Sequence, residues 1–298
     1  MQRPFAIRLL RAWLTAAGTL AIGASAPAPL HVERLDLPGI SSPEWESHPA
    51  IDPRTGDLWF VRSDAHFSGW RLLASRCAKR GWQPASPAPI AAPGLEADPW
   101  FSPDGNSLYF ISTRASGKAE SRALDIWQAR RKRDGSWAPP VRLPEPVNSD
   151  EAEWFPRPAA DGWLYFGSRR AGGLGKDDIW RARSEHGRWR VENAGPAINS
   201  AGAEYEFQPS PDGRWALLAT DDGLYRVEHG TSGWQRRVRY GADINVTGAE
   251  IGPAIGPESS AFLFSRDMGA DRSGELFLAY PGRRPSWPLC RDAAQHPR

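Results

Sequence analysis

Apolar residues in this chain come in short runs, separated at regular distances by polar turn residues. Leu108-Tyr109-Phe110 and Leu164-Tyr165-Phe166 show the pattern. Each follows an Asp-Gly pair (Asp104-Gly105, Asp161-Gly162) and precedes a stretch rich in small and charged residues. Runs of this length bounded by Asp, Gly and Pro predict β-strands joined by tight turns. No amphipathic stretch with the i, i+3, i+4 spacing of a helix interrupts them. The chain is expected to be all-β.

The runs belong to a repeat of about 50 residues. Five copies start at Glu44, Glu96, Glu153, Glu204 and Glu250. Each holds four strand-sized segments. The first ends at the Asp-Gly turn, which becomes Asp52-Pro53-Arg54-Thr55-Gly56 in the first copy and decays to Pro257-Glu258-Ser259-Ser260 in the fifth. The second is the aromatic run. The third carries Leu72, Trp127, Trp180, Tyr225 or Phe277, and the fourth starts at Trp82, Trp137, Trp189, Trp234 or Trp287. Four short strands per repeat predict a β-propeller of five four-stranded blades. Six blades would need a repeat that the sequence does not display.

A closing strand is also visible. Val32-Glu33-Arg34-Leu35 stands as far ahead of Glu44 as Val141-Arg142-Leu143 stands ahead of Glu153. It is an outer strand placed before any blade that could own it, so it is expected beside the last repeat. The N- and C-terminal strands would then share one blade and seal the ring. Trp287 competes for the same edge, and the residues leave open which segment takes it.

The pattern Glu-x-x-Pro, Ser-Pro-Asp-Gly, Leu-Tyr-Phe-x-Ser-x-Arg, Gly-Gly-x-Gly-x-x-Asp-Ile-Trp and Ile-Asn-Ser is carried by Ser102 to Arg114, Glu153 to Trp180 and Ile198-Asn199-Ser200. In these residues the chain resembles the TolB-like, WD-repeat-like propeller repeats of bacterial envelope proteins. The resemblance covers residues 32 to 288 and implies the propeller fold, not a particular activity. The separate α/β domain of TolB and the peptidoglycan-binding domain of related proteins have no room here, so a Tol–Pal role is not implied.

Composition adds a compartment. Arg3, Arg8 and Arg11 precede a short apolar run, Trp13 to Ile22, and then small residues. This is the form of an export signal over residues 1–26, too short in its apolar part to span a bilayer. The propeller would occupy 27–290, with a tail at 291–298, in a periplasmic or secreted monomer without a membrane span once the signal is removed. A net charge of +2 gives no footprint for nucleic acid. Cys77 and Cys290 fall in the first and last repeats and could be bridged after export, although two unpaired thiols are the plainer expectation.

Residues shared by every copy serve what every blade needs: Asp-Gly for tight turns, Trp for packing, and the leading Glu to cap backbone N–H groups. Residues that differ between copies are the better site candidates. Alternation along the innermost strand puts Glu46, His48, Asp98, Trp100, Phe155, Arg157, Glu206 and Gln208 on one face, towards the central channel. That face could hold a small polar or sugar-like ligand, or only water. Loops after the second strands offer Arg114, Lys118, Arg122, Arg169, Arg170, Lys176, Arg266 and Arg272 to a partner.

Catalytic signatures are sparse. There is no Gly-x-Ser-x-Gly elbow, the six His lack ligand spacing, and Gly172, Gly173 and Gly175 precede no helix that could hold a phosphate. Asp177-Asp178 is a weak calcium signal. No metal or cofactor is expected. The leading reading is an exported, non-catalytic scaffold that binds a protein or peptide of the cell envelope. The alternative is a five-bladed glycoside hydrolase or carbohydrate-binding protein using Glu46, Asp98 and Glu206.

Overall fold

The computed structural model describes residues 29–78, 81–115, 124–269, 274–288 and 290. The expected signal segment and the tail at 291–298 lie outside the described residues. No helix forms among the described residues; the chain is a five-bladed β-propeller. The inner strands are Trp45–Ile51, Glu96–Phe101, Glu153–Pro158, Glu204–Pro209 and Glu250–Ile255. Each lies against the inner strands of the two neighbouring blades, and the fifth meets the first, so the circle is closed.

Within each blade the chain steps outwards by antiparallel pairing. The second strands are Leu58–Ser63, Ser107–Ser112, Leu164–Ser168, Trp215–Thr220 and Phe262–Arg266. The third are Arg71–Ser75, Asp125–Arg130, Asp178–Glu185, Gly223–Gly230 and Glu275–Tyr280. The aromatic run meets the large residue of the third strand across the sheet: Phe110 faces Trp127, Phe166 faces Trp180 and Phe264 faces Phe277. In the first blade Phe60 faces Leu73, so Leu73 and not Leu72 is the equivalent residue. These side chains are buried between adjacent blades, where Ile111, Ile126, Phe166 and Trp180 form one shared core. Each large side chain removed from water there contributes about 1.5–3 kcal/mol.

The fourth segments differ from the expectation. Trp82, Trp137 and Trp234 pair back onto Cys77, Arg131 and His229 in a short hairpin extension. The outer strand of the blade follows them, at Ser86–Pro87, Val141–Arg142 and Val238–Arg239. Only Trp189 lies within an outer strand proper, Arg188–Asn193.

The fifth blade takes its outer strand from the start of the chain. His31–Arg34 runs antiparallel to Glu275–Tyr280, with His31 opposite Tyr280 and Arg34 opposite Phe277. Trp287 loses the competition for this edge. It packs on Gly256 instead, whose missing Cβ would stand 2.8 Å from the indole ring. A second closure follows: Cys77 and Cys290 are joined in a disulfide, with Cα atoms 5.1 Å apart. The expectation of two free thiols is overturned, because ring closure brings the first and last blades together.

Candidate functional site

The leading glutamates cap the blade entries. Glu153 accepts from the Ser149 amide at 3.2 Å and its hydroxyl at 2.6 Å, and Glu204 accepts the same pair from Ser200 at 2.9 and 2.6 Å. In the first blade Glu46, not Glu44, makes these bonds, to Ser42 at 3.1 and 2.6 Å. Glu44 lies on the surface, paired with Arg71. Spacing could have revealed this: Glu46 stands twelve positions before Leu58, as Glu96 does before Leu108 and Glu250 before Phe262.

An arginine completes each cap. Arg62, Arg114, Arg170 and Arg266 reach back from the end of the second strand to Glu46, Glu96, Glu153 and Glu250. Each also donates to a carbonyl of the incoming chain, as Arg114 does to Ile90 at 3.0 Å and Arg266 to Ile244 at 2.7 Å. Each guanidinium lies over its own aromatic run, 4.9 Å from Phe110 and from Phe166. Burial pushes Glu46 and Glu153 above the usual carboxylate range, while the serine and arginine donors pull the other way. Two groups of candidates therefore move. Glu46 belongs to a blade cap and not to the channel face. Arg114, Arg170 and Arg266 are held by glutamates and are not free loop cations.

The remaining loop cations divide. Arg169 is exposed and pairs with Asp177 at 2.7 Å, and Lys176 is exposed. Lys118, Arg122 and Arg272 lie outside the described residues. Asp178 does not face outwards: its carboxylate accepts from Leu174 N, Gly175 N and Asn193 Nδ2 and ties down the glycine loop.

The channel face is built by a bulge. Pairing with the second strand skips after Ser47, Ala97, Trp154 and Ile251, and the next residue takes a left-handed backbone: φ is 50° at His48, 55° at Asp98, 48° at Phe155 and 61° at Gly252. Such values are costly for any residue but glycine. The bulge aims these side chains inwards and across the blade boundaries. Asp98 accepts from the Phe155 amide at 3.0 Å and faces His48 Nε2 at 3.8 Å, and the His48 ring stacks on Phe155 with centroids 5.0 Å apart. Gly252 leaves no room for a Cβ, which would stand 2.7 Å from the His48 nitrogen.

One layer further along, Arg157 donates to Glu206 (Nε to Oε1, 2.8 Å) with its guanidinium 4.4 Å from the Trp100 ring. Gln208 accepts from Ile255 N at 3.2 Å. The channel is thus filled by its own side chains: His48, Asp98, Arg157, Glu206 and Gln208 are each at most 3% exposed. Burial, reinforced by Arg157, holds the His48 imidazole down to about 3. Burial lifts Asp98 to about 7 against the pull of the Phe155 amide and Arg157, with Glu206 adding to the rise, and burial lifts Glu206 as well. No group of three or more His, Cys, Asp or Glu among the described residues is placed to hold a metal ion.

Above this plug stands an aromatic group of which only Phe155 is among the sequence candidates. The turn after the second strand of the first blade is caged by Asp64, which accepts from His66 N, Ser68 N and Ser68 Oγ. It presents Phe67, at φ 54°, towards the channel mouth, 5.0 Å from Trp45, 5.5 Å from Trp70 and 6.3 Å from His48 by ring centroids. Trp70 continues edge-on to Trp154 at 6.4 Å. Phe67, Trp70, Trp154 and Phe155 are all half-buried. The signal for Phe67 and Trp70 is the pair of aromatics that only the first copy carries between its second and third strands, whereas Trp154 and Phe155 stand on the inner strand Glu153–Pro158.

No family profile and no curated protein matches the chain. Among solved structures it is similar to a protein of Agrobacterium tumefaciens described as a TolB (16% identity, TM-score 0.48, 75% of this chain and 70% of that one). It is also similar to a family 117 glycoside hydrolase of Zobellia galactanivorans (8%, TM-score 0.48, 84% and 90%) and to a periplasmic gluconolactonase of Pseudomonas aeruginosa (15%, TM-score 0.44, 73% and 64%).

Proposed function

We propose that this protein is an exported, non-catalytic propeller scaffold that binds a protein or peptide partner of the cell envelope at the aromatic mouth of its channel. One observation carries the reading: Phe67, Trp70, Trp154 and Phe155 stand half-exposed on a rigid base, where the ring plan needs no aromatic surface. Partly exposed aromatics on a preorganised frame anchor partners at low entropic cost. The Cys77–Cys290 bridge and the basic-then-apolar start of the chain both suit a compartment outside the reducing cytoplasm. Glycosidic cleavage needs two open carboxylates about 5–10 Å apart. Glu46, Asp98 and Glu206 are instead buried and engaged, which favours binding over hydrolysis.

Crosslinking in an envelope extract tests this, with the parent protein beside Phe67→Asn, since asparagine tolerates the left-handed backbone at that position. A defined polypeptide adduct formed by the parent and lost in the variant is expected. The same adducts with both proteins, or turnover of a glycan panel by the parent, would sink the reading.

A further inference from the structure

We infer a second, separate binding site: a cationic cleft on the opposite face, between the turns of the first and second blades, that takes a phosphate-bearing ligand. The cleft has a volume of about 500 Å³ and is lined by Arg54, Asn106, Arg131, Lys132 and Arg133, with no carboxylate in its wall. Arg54 comes from the turn between the inner and second strands of the first blade. The other cations come from the turn beyond the third strand of the second blade, in a run of four basic residues, Arg130 to Arg133.

Comparison among the blades shows that this basic run is particular to the second blade. The position that faces the column Trp is Cys77 in the first blade, Ser184 in the third and His229 in the fourth; only the second blade puts an arginine there. Arg131 serves the scaffold of this blade as the buried partner of Asp52 and frames the cleft, leaving Arg54, Lys132 and Arg133 as the cations open to a ligand. Both arginines are fixed. Arg131 stacks 4.2 Å above the Trp137 ring and donates to the Gly105 carbonyl at 2.8 Å and to Asp52 at 2.5 Å. Arg54 donates to Asn106 Oδ1 at 2.6 Å and packs its methylenes against Gly105. Those bonds use one of the five N–H groups of Arg54 and leave the rest for a ligand.

Lys132 and Arg133 are exposed and make no side-chain hydrogen bond among the described residues. Asp52 is paired with Arg131, while Asp104 and Asp134 stay ionised beside the cleft, held by Ser102 and Asn106 and by Ser136, with Lys132 close enough to act on Asp134. The Arg54 guanidinium fork, preoriented by Asn106, beside the exposed Lys132 and Arg133 is the geometry that recognises a phosphate group. The volume exceeds that of a bare phosphate and falls within the range of small-molecule sites, roughly 300–1,000 Å³. The ligand therefore carries a phosphate on a sugar-sized or headgroup-sized body.

Titration calorimetry of the whole oxidised protein with inorganic phosphate and with glucose 6-phosphate, at low and high salt, tests the site. Flotation with phosphatidylglycerol and phosphatidylcholine vesicles is run alongside. Binding is expected with glucose 6-phosphate tighter than inorganic phosphate and weakened by salt, and at least tenfold weaker in the Arg54→Gln, Arg133→Gln double variant. Arg169→Gln, on the other face, should bind like the parent. Unchanged melting of the double variant shows that the fold is kept. Flotation with the anionic vesicles alone, lost in the double variant, assigns the phosphate to a lipid headgroup. Neither soluble phosphate nor vesicle binding, or binding that the double variant retains, overturns the inference.

Discussion

Arg237 pairs with Glu204 from the outer side of its blade, although the four other capping arginines arrive from the end of the second strand. The reason is local. In the fourth blade the second strand ends at Thr220 and turns at once through Asp221-Asp222, so no arginine is available there. The buried glutamate still needs a cation, and the chain supplies one 33 residues away.

This relationship predicts that the caps are stabilising and separable. Arg170→Met leaves Glu153 buried and uncompensated and should cost about 3–5 kcal/mol in urea unfolding. Arg237→Met should cost less, about 1–3 kcal/mol, because the Arg237 side chain is 25% exposed and water can partly replace it. Equal losses, or none, would contradict the capping role.

Asp98 and His48 should give opposing pH dependences. Asp98 is raised in the folded state, so the native protein binds its proton more tightly than the unfolded chain, and its contribution falls as pH rises from about 4 to about 7. His48 is lowered, so the unfolded chain binds the extra proton, and stability rises from pH 3 towards 6.5. The two largely offset each other between pH 4 and 6.5. Asp98→Asn should expose the rise and His48→Asn the fall, each with a slope of up to about 1.4 kcal/mol per pH unit. Urea midpoints across this range measure both.

The disulfide and the N-terminal strand are independent seals. Cys77→Ser, Cys290→Ser should lower stability by about 2–4 kcal/mol yet leave a folded ring, because His31–Arg34 still pairs with Glu275–Tyr280. Thermal melting with and without reductant should separate parent from variant only in the oxidised sample.

Gly252→Ala should destabilise by about 1–3 kcal/mol, since its Cβ meets the His48 backbone and its φ of 61° strains any side chain. Gly213→Ala, in an open turn, should suffer only the backbone strain.

Blade number and the three inner strands of each blade could be read from recurring Asp-Gly and aromatic positions, and the ring seal from the spacing of residues 32–35, because these serve packing and turns that depend on local spacing. The Trp column did not mark the outer strand, which follows it in three blades. The first copy was misaligned, with Glu44 for Glu46 and Leu72 for Leu73, because a nearby glutamate and a leucine pair offered equally plausible anchors. The state of the channel was not legible. Whether Asp98, His48, Arg157 and Glu206 line a hollow or fill it depends on a left-handed bulge that redirects non-glycine side chains, and alternation along a strand carries no sign of that. Arg114 and Arg170 read as loop cations for a related reason: their glutamate partners lie 17 or 18 residues away.

The seal between His31–Arg34 and Glu275–Tyr280 orders assembly in time. The segment synthesised first among the folded strands must wait, unpaired, until nearly the whole polypeptide has emerged before its partner exists. Once that partner has formed, and until His31–Arg34 docks, the fifth sheet carries an open edge able to recruit strands from another chain. Closure of the ring thus waits for the end of synthesis, because it joins two segments about 245 residues apart, and contacts of such separation are slow to form.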